Sequence, residues 1–415
     1  LAATAAFLLV SSADGVGNVC HGSPPPSPPP RRAPSMIAKL AVGSEPLQPF
    51  ITPDGRKLYV VDRGPGTVSV IESARVDLTA VLPITNEQYA TGLDSATPDG
   101  RFLYVDDSTA GLAIIDTASA AVVGRLPFRG SKVFAPDGSA YAADSTSGTV
   151  VHFNVSNQTI LGVTHVGQQP DTLTLARDGN LYVTDSVTHA VAGLTTSLKF
   201  LWSVALLNSP GPGGVGPPFA IPGRPVIYTA LQTGTLDIID VNRGTIAKVI
   251  PLGGRPVSAN LSLDGKSVFV ATDNGSLLVV NTQNDSITTR VAIPGSPYNV
   301  FMSPGGRVEY VLSQSSGDLE TTLSVVRTAD HQIISQLKLN ASSFAAELSR
   351  DGRTIVLVDR SSPVVTVIDT AGPTVVGRVK VGGVPESLVL APDGSRAYVS
   401  LAGDSAIAVI DLGYA

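Results

Sequence analysis

Six aspartates, Asp62, Asp106, Asp144, Asp185, Asp273 and Asp359, each end a short run rich in Val, Leu, Ala and Tyr. A carboxylate repeated at one structural position can do two kinds of chemistry. Gathered round an axis, several would offer hard oxygen ligands to Ca2+ or a similar cation, with Asp144 and Asp185 the first candidates. Left in their own segments, each would accept the backbone N–H groups of the turn it opens. The second use is the expectation, because every segment needs its turn whereas a metal site needs only a few ligands. No resident cofactor is therefore expected.

Other constellations point away from catalysis. The chain has no Gly-x-Ser-x-Gly elbow, no phosphate-binding Gly-x-x-x-x-Gly-Lys loop and no His-Glu-x-x-His helix. Gly211 to Gly216 fits Gly-x-Gly-x-x-Gly, but Pro210, Pro217 and Pro218 flank it, so it reads as a loop and not as a dinucleotide site. His21, His152, His165, His189 and His331 are scattered without metal-ligand spacing. No catalytic residue is expected. The net charge of -6, with no basic run beyond Arg31-Arg32, argues against nucleic acid. No stretch approaches the roughly 18 apolar residues of a membrane span.

The elements that must position these residues recur. A Gly, usually preceded by Asp, stands at 55, 100, 138, 179, 223, 265, 306, 352 and 394, so successive steps run from 38 to 46 residues. A fixed period in this range means a repeat architecture. In the first unit the Asp54-Gly55 turn is followed by Lys57 to Val61, a polar turn, Thr67 to Ile71, and a weaker strand, Leu78 to Ile84. Short β-branched and aromatic runs between Gly, Asp and Ser turns predict a four-stranded antiparallel meander. The second strands are apolar at consecutive positions, as in Phe102-Leu103-Tyr104-Val105, so both faces of each sheet must be covered. Radial stacking covers both and predicts an all-β propeller.

These residues carry a resemblance. Thr52-Pro53-Asp54-Gly55 with Leu58-Tyr59-Val60, Leu112 to Asp116, Ile407 to Asp411, and the connectors Val42-Gly43-Ser44-Glu45-Pro46 and Val381 to Pro385 are similar to the YVTN-repeat propeller family over residues 37 to 412. The resemblance implies the fold. It leaves function open, since such propellers include surface-layer and adhesive proteins, lactonase-like enzymes that hold a cation near the axis, and cofactor oxidoreductases.

The last unit lacks a fourth strand, and Ile37 to Gly43 resembles the fourth strand Val376 to Gly382 of the eighth. The N-terminal segment is expected to complete the last blade. Nine blades follow, or eight if the weak fifth unit around Pro222-Gly223 is not a full blade.

Three regions are expected: residues 1–22, residues 23–36 and the propeller at 37–415. The first ten residues, followed by Ser11-Ser12-Ala13, read either as a secretory signal or as a retained strand that pairs with another subunit. Ser23-Pro24-Pro25-Pro26-Ser27-Pro28-Pro29-Pro30 predicts a polyproline II rod about 25 Å long, at roughly 3.1 Å per residue. It resembles the hydroxyproline-rich extensins of plant and algal walls, which implies hydroxylated and glycosylated prolines. The alternative is an unmodified spacer. Sequons at Asn154, Asn157, Asn274, Asn284 and Asn340 are N-glycosylation candidates, whereas Asn260 falls in a crowded first strand. Cys20, the single cysteine, suits an intermolecular disulfide or is a spare thiol.

Only 15% of residues are charged, against about 25% in ordinary soluble proteins. Together these features predict a secreted or cell-surface structural glycoprotein of a wall, sheath or filament, with copies of itself, other wall glycoproteins or glycans as partners. A lactonase-like or other sugar-directed enzyme, and a monomeric binding module, are the alternatives.

Overall fold

The computed structural model describes residues 32–85, 95–107, 111–206, 216–315, 320–339, 343–359 and 361–414. The readings placed on residues 1–31, including Cys20 and the Ser-Pro segment, lie outside the described residues, as does Asn340. The loop around Gly211 falls largely outside them too. The described residues form nine four-stranded antiparallel sheets, and the only helical turn among them is Ala402–Asp404. The blades, in chain order, span 46–83, 95–126, 132–165, 170–205, 219–251, 256–292, 296–339, 343–380 and 387–411. In each of the first eight the strands lie side by side in chain order, as in Pro46–Ile51, Lys57–Asp62, Thr67–Glu72 and Asp77–Pro83 of blade 1.

The fifth unit is a full blade. Its first strand is only Phe219–Ala220, but Val226–Leu231, Thr235–Asp240 and Thr245–Pro251 complete the sheet, which removes the eight-blade alternative. Blade 9 is the exception in connectivity. Ser35–Ala41 pairs with Ala406–Asp411 as its outer strand, Lys39 opposite Ala408 and Leu40 opposite Ile407. The ring is therefore closed by hydrogen bonds between the two ends of the chain, extended by Arg32 N to Gly413 O and Val42 N to Ser405 O, both 2.9 Å.

The Asp-Gly turns form for a local reason. Thr52 Oγ1 donates to Asp54 Oδ1 at 2.6 Å, Arg56 N donates to the same oxygen at 3.0 Å, and Lys57 N donates to Thr52 Oγ1 at 3.0 Å. Gly55, at φ 71°, takes the left-handed position that a side chain disfavours. The pattern repeats at Thr97 with Asp99, Ser262 with Asp264 and Ser349 with Asp351.

Successive residues of a strand point to opposite faces, and here both faces are buried. Leu58 packs on the blade 9 side with Ile407 and Val409, while Tyr59 packs on the blade 2 side with Leu103 and Ile115. Nine apolar clusters result, one at each junction, and the closing junction includes Ala38 and Leu40 of the N-terminal strand.

Several junctions also carry a polar latch. Tyr59 OH donates to Thr117 O of blade 2 and Tyr141 OH to Thr196 O of blade 4, both at 2.9 Å. Trp202 Nε1 of blade 4 reaches Val241 O of blade 5 at 2.7 Å, Tyr228 of blade 5 bonds Asp285 of blade 6, and Arg396 of blade 9 bonds Ser73 O of blade 1. The buried hydroxyls of Tyr59 and Tyr141 are thus satisfied by the next blade, whereas Tyr182 OH donates to Asp178 of its own turn at 2.5 Å, and burial raises the tyrosine pKa values.

Leu58→Ala should destabilise the ring by about 2–5 kcal/mol through lost transfer energy and a cavity. Tyr59→Phe, which removes one latch, should cost about 1 kcal/mol. Urea midpoints of the two variants should fall in that order.

Candidate functional site

Because strands alternate in direction, the first-to-second and third-to-fourth turns share one rim of the ring. The second-to-third turns and the connectors between blades share the other, and all six repeated aspartates lie there.

Four of these carboxylates, Asp144, Asp185, Asp273 and Asp359, accept backbone N–H groups around them. Asp185 accepts Gln168 N at 2.6 Å, Gln169 N at 2.9 Å, Val187 N at 2.9 Å and Thr188 N at 2.7 Å, bonds that hold its pKa down against burial. Asp144 accepts Thr146 N at 3.0 Å and Ser147 Oγ at 2.6 Å, and Asp359 accepts Ser361 N at 2.8 Å. Asp273 accepts Arg255 N at 2.9 Å. Asp62 is fully buried and accepts Ser69 Oγ at 2.6 Å and Thr67 Oγ1 at 3.1 Å; burial pushes its pKa up to about 6.

The same contacts explain the connector glycine. A Cβ on Gly43 would lie 2.4 Å from Asp62 Cβ, and one on Gly167 would lie 2.0 Å from Asp185 Oδ2. The Val-Gly-x-x-Pro connector and the strand-end Asp are two halves of one packing unit. Asp144 and Asp185, the first candidates for a cation, each serve that unit or their own turn. Among the described residues no three His, Cys, Asp or Glu side chains converge as a metal site.

Asp106 is the departure from the pattern. Lys132, from the first strand of blade 3, reaches it across the junction at 3.1 Å and also donates to Gly130 O at 2.8 Å. Both side chains are only 1% exposed. Burial raises the Asp106 pKa, and Lys132 opposes the rise. The neighbouring Asp107 pairs with Arg125 at 2.7 Å.

Two acids at the junctions, Glu309 buried and Glu347 half-buried, were not among the sequence candidates. Glu309 is fully buried between blades 6 and 7, with no hydrogen-bond partner for either carboxylate oxygen; burial pushes its pKa to about 8, and Asn260 of blade 6 is the polar neighbour that opposes the rise. Its signal was legible, since Glu309 precedes Tyr310 where other units place Leu58, Leu103, Leu181, Ile227 or Val268. Glu347 of blade 8 accepts Leu390 N of blade 9 at 3.1 Å, and burial pushes it to about 7. Its sequence neighbourhood carried no comparable mark.

The histidines remain apart. His152 stacks on Tyr141 at 4.5 Å, with its pKa lowered by burial, and His331 meets the Phe269 ring edge-on at 6.0 Å. On the Asp-Gly rim a cleft of about 520 Å3 opens at the junction of blades 9 and 1, lined by Pro53, Asp54, Pro392, Asp393, Arg396 and Tyr398. Its carboxylates cap their own turns, Asp54 through Arg56 N and Asp393 through Ser395 N, both at 3.0 Å.

The sequons divide between the rims. Asn154 and Asn157 lie at the third-to-fourth turn of blade 3 and Asn284 at that of blade 6, all on the Asp-Gly rim. Asn157 and Asn284 are exposed, and Asn157 Oδ1 accepts Thr159 Oγ1 at 2.7 Å. Asn154 Oδ1 caps its turn through Ser156 N at 2.9 Å. On the opposite rim Asn274 Nδ2 donates to Gly253 O at 2.8 Å. Asn260 lies within the first strand of blade 6.

No known family model matches the chain. The seven-bladed beta-propeller protein Rv1057 of Mycobacterium tuberculosis is 25% identical over 378 residues, 88% of this chain and 82% of that protein. Among solved structures, dihydro-heme d1 dehydrogenase NirN in complex with DHE is similar at TM-score 0.56 and 16% identity, over 87% of this chain and 84% of that one. The C-terminal WD40 domain of Sif2 is similar at TM-score 0.54 and 13% identity, over 92% and 99%. The structural likenesses are likenesses of fold.

Two outcomes follow from the buried charges. Lys132→Ala should cost about 3–5 kcal/mol by stranding Asp106, and a paired Lys132→Met, Asp106→Leu change should restore most of that stability in urea melts. Glu309 keeps its proton to about pH 8 when folded, whereas the unfolded chain releases it near the ordinary glutamate value of 4.5. Its contribution is therefore complete below that lower value and is lost as pH rises from there through about 8. Glu309→Gln should flatten this part of the thermal midpoint against pH.

Proposed function

We propose that this chain is a secreted structural glycoprotein, a propeller building block of a wall, sheath or filament outside the cell. Its partners are further copies of itself or other wall glycoproteins. The observation that carries the reading is where the described chain joins the ring: Ser35–Ala41, the strand that follows the Ser-Pro segment in sequence, is the outermost strand of blade 9 and lies on the perimeter. In this reading the Ser-Pro segment joins the ring at that perimeter strand and meets neighbouring rings. The low charge content and the exposed Asn157 and Asn284 turns support a surface covered by sugar or by like subunits.

The enzymatic alternative would draw on Asp144 and Asp185, whose oxygens already hold the backbone of their turns and connectors. That commitment favours the structural reading. Rv1057 is described by its architecture and adds no activity.

Electron micrographs of native material, with peptide mass spectrometry, test the reading. The expected result is a polymer with pentose-bearing Pro24–Pro26 and Pro28–Pro30, and glycan on Asn157 and Asn284 but not on Asn260. Discrete rings with unmodified prolines would overturn it.

A further inference from the structure

Outer strands are the open edges of a propeller, with one row of backbone groups unpaired. Exposed edges are ordinarily guarded by charge, above all by Lys. Seven of the nine follow that rule here: Asp77, Arg125, Lys248, Arg290, Lys338, the pair Arg378 and Lys380, and Lys39 each stand on an outer strand. The outer strands of blades 3 and 4, Ile160–His165 and Phe200–Ala205, contain no Lys, Arg, Asp or Glu. Their exposed large apolar side chains, Ile160 at 43%, Leu161 and Val163 each at 54%, Phe200 at 46% and Leu201 at 41%, are of the kind other outer strands also expose, as Val81 and Val123 do, but here no charge in the strand accompanies them.

The two unguarded strands form one surface. Thr164 Oγ1 of blade 3 donates to Leu198 O of blade 4 at 3.0 Å, and Gly162 lies beside the Leu198 side chain. An apolar strand laid on this edge would gain main-chain hydrogen bonds from blade 3 and cover side chains of both blades.

The occupant is indicated by the chain itself. Residues 1–10, Leu-Ala-Ala-Thr-Ala-Ala-Phe-Leu-Leu-Val, are free of charge and proline and long enough for one blade strand. They precede Ser35, the first residue of the outer strand of blade 9, and the Ser-Pro segment lies between. Blades 3 and 4 stand three and four places round a ring of nine from blade 9, so the acceptor edge lies on a different side of the ring from the strand Ser35–Ala41. A donor on one side and an acceptor on the other make a head-to-tail contact that does not close on two copies.

We propose that residues 1–10 of one copy add as a fifth strand to the free edge of Ile160–His165 in another, covering Leu161, Val163, Phe200 and Leu201. The inference rests on the assembly reading above and names its acceptor. Repetition of the contact builds a filament of rings joined through their Ser-Pro segments.

The test uses the full chain, followed by light scattering and electron microscopy, with circular dichroism to establish folding. Leu161→Lys and Phe200→Lys, separately, place on the edge the charge that the other outer strands carry, and each should shorten polymers at least tenfold. A synthetic peptide of residues 1–10 in molar excess over the unaltered chain should do the same by occupying acceptor edges, which keeps the test independent of how the variants fold. Polymers of unchanged length in folded variants and under excess peptide would overturn the acceptor edge while leaving the assembly reading standing. Native polymer whose subunits lack residues 1–10 would have the same consequence. Monomeric rings from the unaltered chain would overturn both.

Discussion

The ring depends on a sheet that has no solvent face. A four-stranded meander whose central strands are apolar on consecutive residues cannot be stable alone, because whichever side it buries, the other is left in water. Leu58 and Tyr59 show the arrangement at its smallest: adjacent residues, one belonging to the core shared with blade 9 and the other to the core shared with blade 2. Every blade therefore needs two neighbours, and a row of them has stable ends only if the ends meet. The strand Ser35–Ala41 provides the meeting, contributing Ala38 and Leu40 to the ninth core.

The polar groups follow from the same requirement. Once both faces are occupied, the hydroxyl of a buried tyrosine must find a partner at the rim, in the next blade for Tyr59 at Thr117 and Tyr141 at Thr196, and in its own turn for Tyr182 at Asp178. The strand-end aspartates meet a parallel demand at the connector rim, where Asp185 gathers four N–H groups from the connector and turn. A row of carboxylates that reads as a cation site is thereby used as hydrogen-bond acceptors. Glu309 stands outside this economy of partners. It occupies a position built for an aliphatic side chain and stays neutral there, since ionisation in an apolar junction without a partner is costly.

With faces and rims accounted for, the perimeter is the surface left for contact with other molecules. Its strands differ from one another only in side chains, because the backbone edge is the same in every blade. Charge on seven of them and its absence on Ile160–His165 and Phe200–Ala205 make the perimeter uneven. The uneven side lies far round the ring from the blade that receives the N-terminal segment.

The nine Gly-marked turns, the period and the missing last strand were enough to specify a nine-bladed ring closed by its N-terminal segment, because strand patterning and turn chemistry are local and recur nine times. The fifth unit was the ambiguous one, as its first strand is two residues long and too short to leave a pattern. The site was less legible. That Asp185 would cap its surroundings could be expected from residue type, but its hold on Gln168 and Gln169 depends on the connector folding back beside it. The Lys132–Asp106 pair joins residues 26 apart in different blades, and the Glu347 carboxylate meets a backbone N–H 43 residues away, at Leu390. Periodicity states which residues face a neighbour; which neighbouring atom each one meets is set by how adjacent blades dock, and that docking is a property of three dimensions.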